Sequence, residues 1–236
     1  MLKFETKYLD KKILSRLFYR KYQKDVNEII KKVRNNVADS DNMMGWARLE
    51  SIYPTTELIA IRNKVREWKK LNLKHIVIIG IGGSYTGVKA GIDMINSSQY
   101  KEPRIIWIHN MDSAYLLSQL EYLKDKKYGI IVISKSGKTL EPAIAFRLFR
   151  KQLEYMVGTN QAKKLIVAIT DSKKGTLHDL AKKHGYTTFS IPSDIGGRYS
   201  TLTSVGIFPF AIAGLDINKV LKGAKDCLED MKTVDI

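Results

Sequence analysis

The 236 residues are enough to bury one sizeable hydrophobic core with an appended arm, which corresponds to one or two domains. Apolar residues make up 44% of the chain and charged residues 27%, a composition typical of a globular protein rather than a disordered one. The net charge of +16 suggests nucleic acid or an anionic membrane as partner, but the basic residues are spread along the whole chain without a DNA- or RNA-reading module, so we expect neither partner.

The single cysteine, Cys227, excludes a disulfide framework within the chain and indicates a reducing compartment. We expect its side chain in the core. No stretch approaches the roughly 18 continuous apolar residues of a membrane span, and the first residues lack the apolar segment of a signal peptide. The sequence therefore predicts a cytoplasmic protein.

Residues 1–54 are predicted to form an N-terminal helical arm. One apolar stripe at helical spacing must pack against a partner surface; it consists of Val26, Ile29, Ile30, Val33 and Val37. A polar break follows at residues 39–42, and residues 43–53 read as an irregular connection. A second helix opens at Pro54. Its apolar face is formed by Leu58, Ile61, Val65 and Trp68.

From residue 75 onward, short apolar strands alternate with segments of helix length. The predicted strands are His75–Ile79, Arg104–Ile108, Gly129–Ile133, Leu165–Ile169 and Thr187–Ile191. The predicted helices between them are Tyr85–Asn96, Ser113–Leu123, Leu140–Met156 and Lys173–His184. Right-handed crossovers then give an α/β fold with a doubly wound, five-stranded parallel sheet, for which we expect the strand order 2-1-3-4-5.

Two helical patterns close the chain. Residues 200–213 are mostly apolar, and an amphipathic stripe runs from Ile217 to Met231. The chain stops at Ile236 directly after this amphipathic helix. We therefore expect the sequence to be part of a longer protein.

A glycine-rich loop, Gly80–Gly87, follows the first predicted strand and would let the backbone approach a ligand closely. Two nucleotide-binding fingerprints fail here. A dinucleotide motif would need glycine in place of Tyr85, and a P-loop would need lysine in place of Val88. The loop either binds another ligand or makes a tight turn between strand and helix.

The loop Ser134–Thr139 lies between the third strand and a helix N-terminus, where free amides, the helix dipole and hydroxyls suit a phosphate. In a sheet of order 2-1-3-4-5, this loop and the Gly82–Ser84 loop border one crevice between strands one and three. Ordinary N-capping of the helix by Ser136 and Thr139 is the alternative. It uses the same N–H groups, so the sequence leaves both interpretations open.

A third loop carries Arg198 behind a Gly-Gly pair, after the fifth strand. This arginine could stabilise a developing oxyanion or hold an anionic group, or it could be an exposed or salt-bridged surface residue. Asp171 and Asp194 are expected to be turn and cap residues. The four histidines lack metal-ligand spacing, so we predict no metal.

Taken together, three motifs resemble the glucose-6-phosphate isomerase family in its shorter bacterial form, over about residues 43–223. They are Ile79–Ser84, Ser134–Arg147 and Gly196–Ser200, and they occur in the family's order. The resemblance implies isomerisation of glucose 6-phosphate and fructose 6-phosphate through a cis-enediolate, without metal or organic cofactor. It further implies a first sugar-isomerase (SIS) domain at residues 55–213, preceded by the arm 1–54 and followed by a linking helix, 214–236.

The resemblance also implies the site residues. Arg198 would stabilise the enediolate. The phosphate of the small-molecule substrate would be held by Gly83, Ser84, Ser134, Lys135 through its backbone, Ser136 and Thr139. Family members are homodimers when full-length.

The family's proton-transferring glutamate, ring-opening histidine and C-terminal lysine lie in a second SIS domain, which this sequence does not contain. We therefore expect the chain alone to bind a sugar phosphate but to have negligible isomerase activity. The alternative is a non-catalytic SIS-type sugar-phosphate-binding module. That reading would favour a helix-turn-helix in the arm, which is not evident, and it does not explain Gly197 and Arg198.

Overall fold

The computed structural model describes residues 6–13, 15–34, 43–48, 55–95 and 102–233. In the arm, helix α1 spans Arg16–Arg34, as its apolar spacing predicted. Ile29 is 60% exposed, so no other described residue covers this point of the stripe. Val37, the polar break at 39–42 and the stretch 49–53 lie outside the described residues.

A single β-sheet organises the described part of the chain. Its strands are β1 His75–Ile79, β2 Arg104–Ile108, β3 Tyr128–Ile133, β4 Ile166–Thr170 and β5 Thr187–Ser190. Their order is β2-β1-β3-β4-β5 and every pairing is parallel, which confirms the predicted fold class. Ile79 is level with Ile108 and with Val132, so β1, β2 and β3 end at one edge of the sheet.

Helices flank this sheet. They are α2 Thr55–Lys70, α3 Thr86–Ile95, α4 Ser113–Leu123, α5 Leu140–Val157, α6 Thr159–Ala162, α7 Thr176–His184, α8 Ser204–Ile212 and α9 Ile217–Thr233. Helix α8 packs against α2 and α3, whereas α5 packs against α4 and the central strands. The central strand β3 is buried along its whole length because helices cover both faces of a doubly wound sheet.

The apolar residues predicted in α2 and α8 are largely buried. Ile61, Val65 and Trp68 of α2 are in the core, and every residue of α8 is buried. Across the parts of the chain that the structure describes, no helix is both long enough and apolar enough to cross a bilayer.

Helix α9 differs from the prediction at Cys227, which is exposed rather than in the core. Only the start of the apolar stripe reaches the core: Ile217 is buried, and Val220 and Leu221 are packed against it. Further along the helix, Ala224 and Leu228 are half-buried and Cys227 is exposed. The spacing identified an amphipathic helix correctly, but spacing alone does not say how much of a stripe is covered.

Candidate functional site

The loops after β1 and β3 and the turn after β4 border one cleft of about 790 Å³ at the carboxyl edge of the sheet. Ser84 lies on one wall. The opposite wall is formed by Ser134, Lys135, Ser136, Lys138 and Thr139. The lining also includes Asp171, Lys174, Gly175, Met43, Ile81, Ile133 and Pro142. The expectation that the two loops border one crevice is confirmed, because β1 and β3 are neighbours with helices that leave in opposite directions.

The loop 134–139 is shaped by its own hydrogen bonds. The Gly137 amide donates to the Ser134 hydroxyl oxygen (3.1 Å), and the Lys138 amide donates to that of Ser136 (3.2 Å). The amides of Lys135, Ser136 and Thr139 donate to no acceptor within the described residues. Unpaired amides beside a cleft are the donors that an anion requires.

The capping interpretation can be tested at Thr139. It occupies the N-cap position of α5, with φ −69° and ψ 123°, yet its side chain makes no capping hydrogen bond. The Ser136 hydroxyl accepts from Lys138, which precedes the helix. Neither hydroxyl therefore caps the first turn of α5, and ordinary N-capping does not explain these residues.

A second helix begins beside the same loop. The Thr176 amide, at the start of α7, donates to the Ser136 carbonyl oxygen (3.1 Å). Gly137 has φ +68°, and a Cβ on it would lie 2.1 Å from the Leu177 nitrogen. Only glycine fits this close approach. The positive dipole ends of α5 and α7 consequently lie near the loop together.

Charge in the cleft is mainly positive, because Lys135, Lys138 and Lys174 face one carboxylate, Asp171. Hydrogen bonds from the amides of Lys173 (2.8 Å) and Lys174 hold the pKa of Asp171 below its ordinary value, although burial acts in the opposite direction. Burial lowers the pKa of Lys135, and Asp171 partly offsets this effect. Asp171 is thus a turn residue, as predicted.

Gly83 lies against the loop 192–199 rather than in the cleft lining. A Cβ on Gly83 would be 2.0 Å from the Gly197 carbonyl oxygen, so the backbones of the two loops touch. Arg198 is exposed, with its guanidinium carbon 6.0 Å from the ring centre of Tyr199. Within the described residues it forms no ion pair, so the structure shows an exposed cation on the loop that contacts Gly83, outside the cleft lining.

Contacts that the sequence did not predict hold the loop 192–199. The Lys135 ammonium donates to the carbonyl oxygens of Ser193 (2.7 Å) and Ile195 (3.0 Å). From the other side, Asp194 pairs with Arg48, and Trp46 stacks on Tyr199 with ring centres 5.4 Å apart. Residues 43–48 carried no signal for this role, because they are distant in sequence and follow no periodic pattern.

The histidines with resolved contacts have aromatic neighbours. His109 stacks on Tyr85 with ring centres 4.2 Å apart, and His75 Nε2 lies 3.0 Å from the Tyr122 hydroxyl. No group of three His, Cys, Asp or Glu residues in the described ranges is placed to hold a metal ion. The absence of a metal cofactor stays a prediction.

Comparison with known proteins gives consistent matches. A family model described as phosphoglucose isomerase matches residues 27–233. A glucose-6-phosphate isomerase of Mycoplasmoides gallisepticum is 44% identical over 211 residues, covering 89% of this chain and 49% of that protein. One from Acholeplasma laidlawii is 40% identical and covers 98% of this chain and 54% of its own.

Among solved structures, a hypothetical protein of Thermus thermophilus superimposes with a TM-score of 0.79 at 29% identity. The match covers 97% of this chain and 52% of that one. The chain spans about half the length of the curated relatives that it matches.

Proposed function

The chain belongs to the phosphoglucose isomerase family, and from this premise we propose that it supplies the phosphate-binding half of a glucose-6-phosphate isomerase site. The observation that carries the proposal is the cleft between the carboxyl ends of β1 and β3. One of its walls presents unpaired amides and hydroxyls that do not cap helix α5. In this proposal residues 55–213 are the SIS domain, 1–54 the helical arm and 214–236 the linking helix.

The phosphate would bind to the loop 134–139, with Ser84 facing it from the opposite wall. The hydroxyls of Ser136 and Thr139 and the amides of Lys135 and Ser136 would donate to phosphate oxygens. Each charge-assisted hydrogen bond of this kind contributes about 1.5–3 kcal/mol. The nearby lysines and two helix N-termini favour a doubly charged anion.

Arg198 would act on the sugar rather than on the phosphate. Moving a proton between C2 and C1 of the open-chain sugar produces an enediolate, whose negative charge a fixed guanidinium would stabilise. Gly83 holds the Arg198 loop by backbone contact. Family resemblance assigns the proton-transferring glutamate, the ring-opening histidine and a lysine to a second SIS domain.

The proposal includes a cytoplasmic location and a homodimer for the family-length protein, both implied by the resemblance. It requires no metal or organic cofactor. The substrate is a small sugar phosphate, with neither nucleic acid nor membrane as partner.

Isothermal titration calorimetry of the chain with glucose 6-phosphate and with glucose tests the phosphate site. We expect glucose 6-phosphate to bind, inorganic phosphate to compete, and glucose to bind at least about tenfold more weakly, since one lost charge-assisted hydrogen bond corresponds to about that factor. Thr139→Val should weaken glucose 6-phosphate binding by about tenfold. Thr188→Val, an exposed change on β5, is the matched control. Equal binding of both sugars would refute the proposal.

A coupled assay for fructose 6-phosphate formation tests the division of labour. The chain by itself should show negligible turnover, because it binds the substrate without the base. Turnover at the level of a family-length isomerase would show that the proton-transferring group lies within these 236 residues.

A further inference from the structure

Lys135 bridges the phosphate loop and the loop that carries Arg198. Its backbone belongs to the cleft wall, while its ammonium donates to the carbonyl oxygens of Ser193 (2.7 Å) and Ile195 (3.0 Å). We propose that Lys135 is a positioning residue whose side chain fixes the loop 192–199, and with it Arg198, relative to the bound phosphate. This inference rests on the proposed function, because the phosphate is the ligand to which the loop would be coupled.

Lys135 is suited to this role because its backbone is held in place by hydrogen bonds. Its carbonyl oxygen accepts hydrogen bonds from the Asp171 amide (3.3 Å) and the Thr170 hydroxyl (3.2 Å) at the end of β4. A long lysine side chain loses rotamer freedom when it is held at its tip. Here both ends of the residue are held, so its tip is a fixed point for the loop.

The partners of the ammonium are neutral. Two carbonyl oxygens satisfy two of its three donors without cancelling its charge, and it is partly buried. Asp171 is the carboxylate that acts on Lys135 in the cleft, and no ion pair between the two is formed, so the positive charge of Lys135 can still interact with an anion there. An anion in the cleft would stabilise the charged form of Lys135. It would thereby strengthen the hydrogen bonds from the ammonium to the loop 192–199. By linkage, an ordered loop would favour anion binding to the same extent.

The route to Arg198 is short. Ile195 is three residues before it, and the intervening Gly196 and Gly197 have no side chains to fix the backbone. Two turns in this loop close through hydrogen bonds from the Ile195 amide to the Pro192 oxygen and from the Tyr199 amide to the Gly196 oxygen. These amides are protected from hydrogen exchange only while the loop keeps its shape, so they report on its order.

Hydrogen–deuterium exchange of the chain, read on peptides that cover residues 192–199, tests the inference. Lys135→Met keeps the apolar stem and removes the ammonium, and it should speed exchange of these amides by about tenfold or more. Lys135→Arg keeps a cation with donors and should restore part of the protection. Lys182→Met, an exposed change on α7, is the matched control and should exchange like the wild type.

The second arm adds inorganic phosphate at saturation, as determined by calorimetry. Phosphate should slow exchange of residues 192–199 in the wild type and have little effect on them in Lys135→Met. The wild-type measurement needs no variant, so it stays informative if Lys135→Met does not fold. Failure to slow exchange in the wild type while phosphate binds would overturn the coupling.

The two proposals fail in different ways. If phosphate does not bind at all, the proposed function is wrong, and the variants without phosphate still decide whether Lys135 holds the loop. If phosphate binds but Lys135→Met leaves the exchange of residues 192–199 unchanged, the positioning role is refuted alone. Slowing by phosphate that persists in Lys135→Met would also refute it.

Discussion

The two loops that the Lys135 side chain connects differ in what holds them. The loop 134–139 is folded by bonds between its own residues, such as Gly137 to Ser134. The loop 192–199 depends on residues far away in sequence: Lys135 binds its carbonyl oxygens, and Gly83 touches Gly197. The hydroxyls of the first loop are oriented by bonds within the loop, while its carbonyl oxygens are tied to residues 170–176. The second loop has two local turns, but its place relative to the first depends on side-chain and backbone contacts from other loops.

This difference matches the proposed division of labour. A site for the substrate phosphate needs a preformed set of hydrogen-bond donors. A short, hydroxyl-rich turn can present such a set. A cation that stabilises a transient charge must instead be placed relative to the substrate within a fraction of an ångström. The comparison therefore predicts that changes to long-range contacts disturb the site more than changes within the phosphate loop.

Gly83→Ala should have the largest effect, because its methyl group would lie 2.0 Å from the Gly197 carbonyl oxygen and the two backbones must separate. Overpacking of this kind costs about 1–3 kcal/mol in the free energy of unfolding. Glucose 6-phosphate binding should also weaken, since Gly83 adjoins Ser84 of the cleft wall. Urea unfolding and calorimetry measure the two effects.

Gly197→Ala is the control for this prediction, because a Cβ at that position meets no atom within 4 Å. Its unfolding free energy should stay within about 0.5 kcal/mol of the wild type. Equal stability of Gly83→Ala and the wild type would mean that the two loops do not touch in solution.

Asp171→Asn should have an intermediate effect that depends on pH. The pKa of Asp171 is below its ordinary value, chiefly through the hydrogen bond from the Lys173 amide. Its charge therefore stabilises the fold above the unfolded-state value of about 3.9, and this contribution is lost as the pH falls through the lower folded-state value. We expect a loss of about 1 kcal/mol in Asp171→Asn at neutral pH, since an amide oxygen keeps weaker hydrogen bonds.

Urea unfolding at a series of pH values checks this prediction. The difference between Asp171→Asn and the wild type should be constant near neutral pH and vanish in acid. Asp125→Asn, an exposed change, should show no such trend. A difference that grows towards low pH would contradict the expected sign.

Ser134→Ala should have the smallest effect of the three, because it removes one local acceptor. The Gly137 amide loses its partner at a half-buried position, which costs about 0.5 kcal/mol, the low end for a neutral hydrogen bond. Hydrogen exchange should increase in peptides covering residues 134–139 and change little in 192–199. Ser118→Ala on α4 serves as the control for losing a serine hydroxyl, and an equal increase in both loops would remove the distinction between them.

Much of the fold was predictable because it depends on periodicity. Apolar runs located every strand to within about a residue, and the alternation with helices implied the parallel order that the structure has. The loop 134–139 could be proposed as a phosphate site for a related reason. Its residue types, their position after a buried strand and the following helix are all neighbours in sequence.

The burial of individual residues and their long-range contacts were harder to predict from the sequence. Cys227 lies on a correctly predicted amphipathic helix, yet it is exposed because only the start of that helix packs on the core. The partners of Lys135 and Asp194 could not be inferred, since nothing in a lysine or an aspartate specifies which distant backbone or side chain it will meet.

The sequence by itself determined the strands, their parallel order and the family, and it predicted an anion-binding loop at residues 134–139. These follow from patterns within a few residues, where sterics and hydrophobic spacing act directly. Only the tertiary structure decided that Gly83 faces Gly197, that Lys135 reaches across to the Arg198 loop, and that residues 43–48 hold its other side. The physical reason is that such contacts depend on how crossovers bring distant segments to one edge of the sheet.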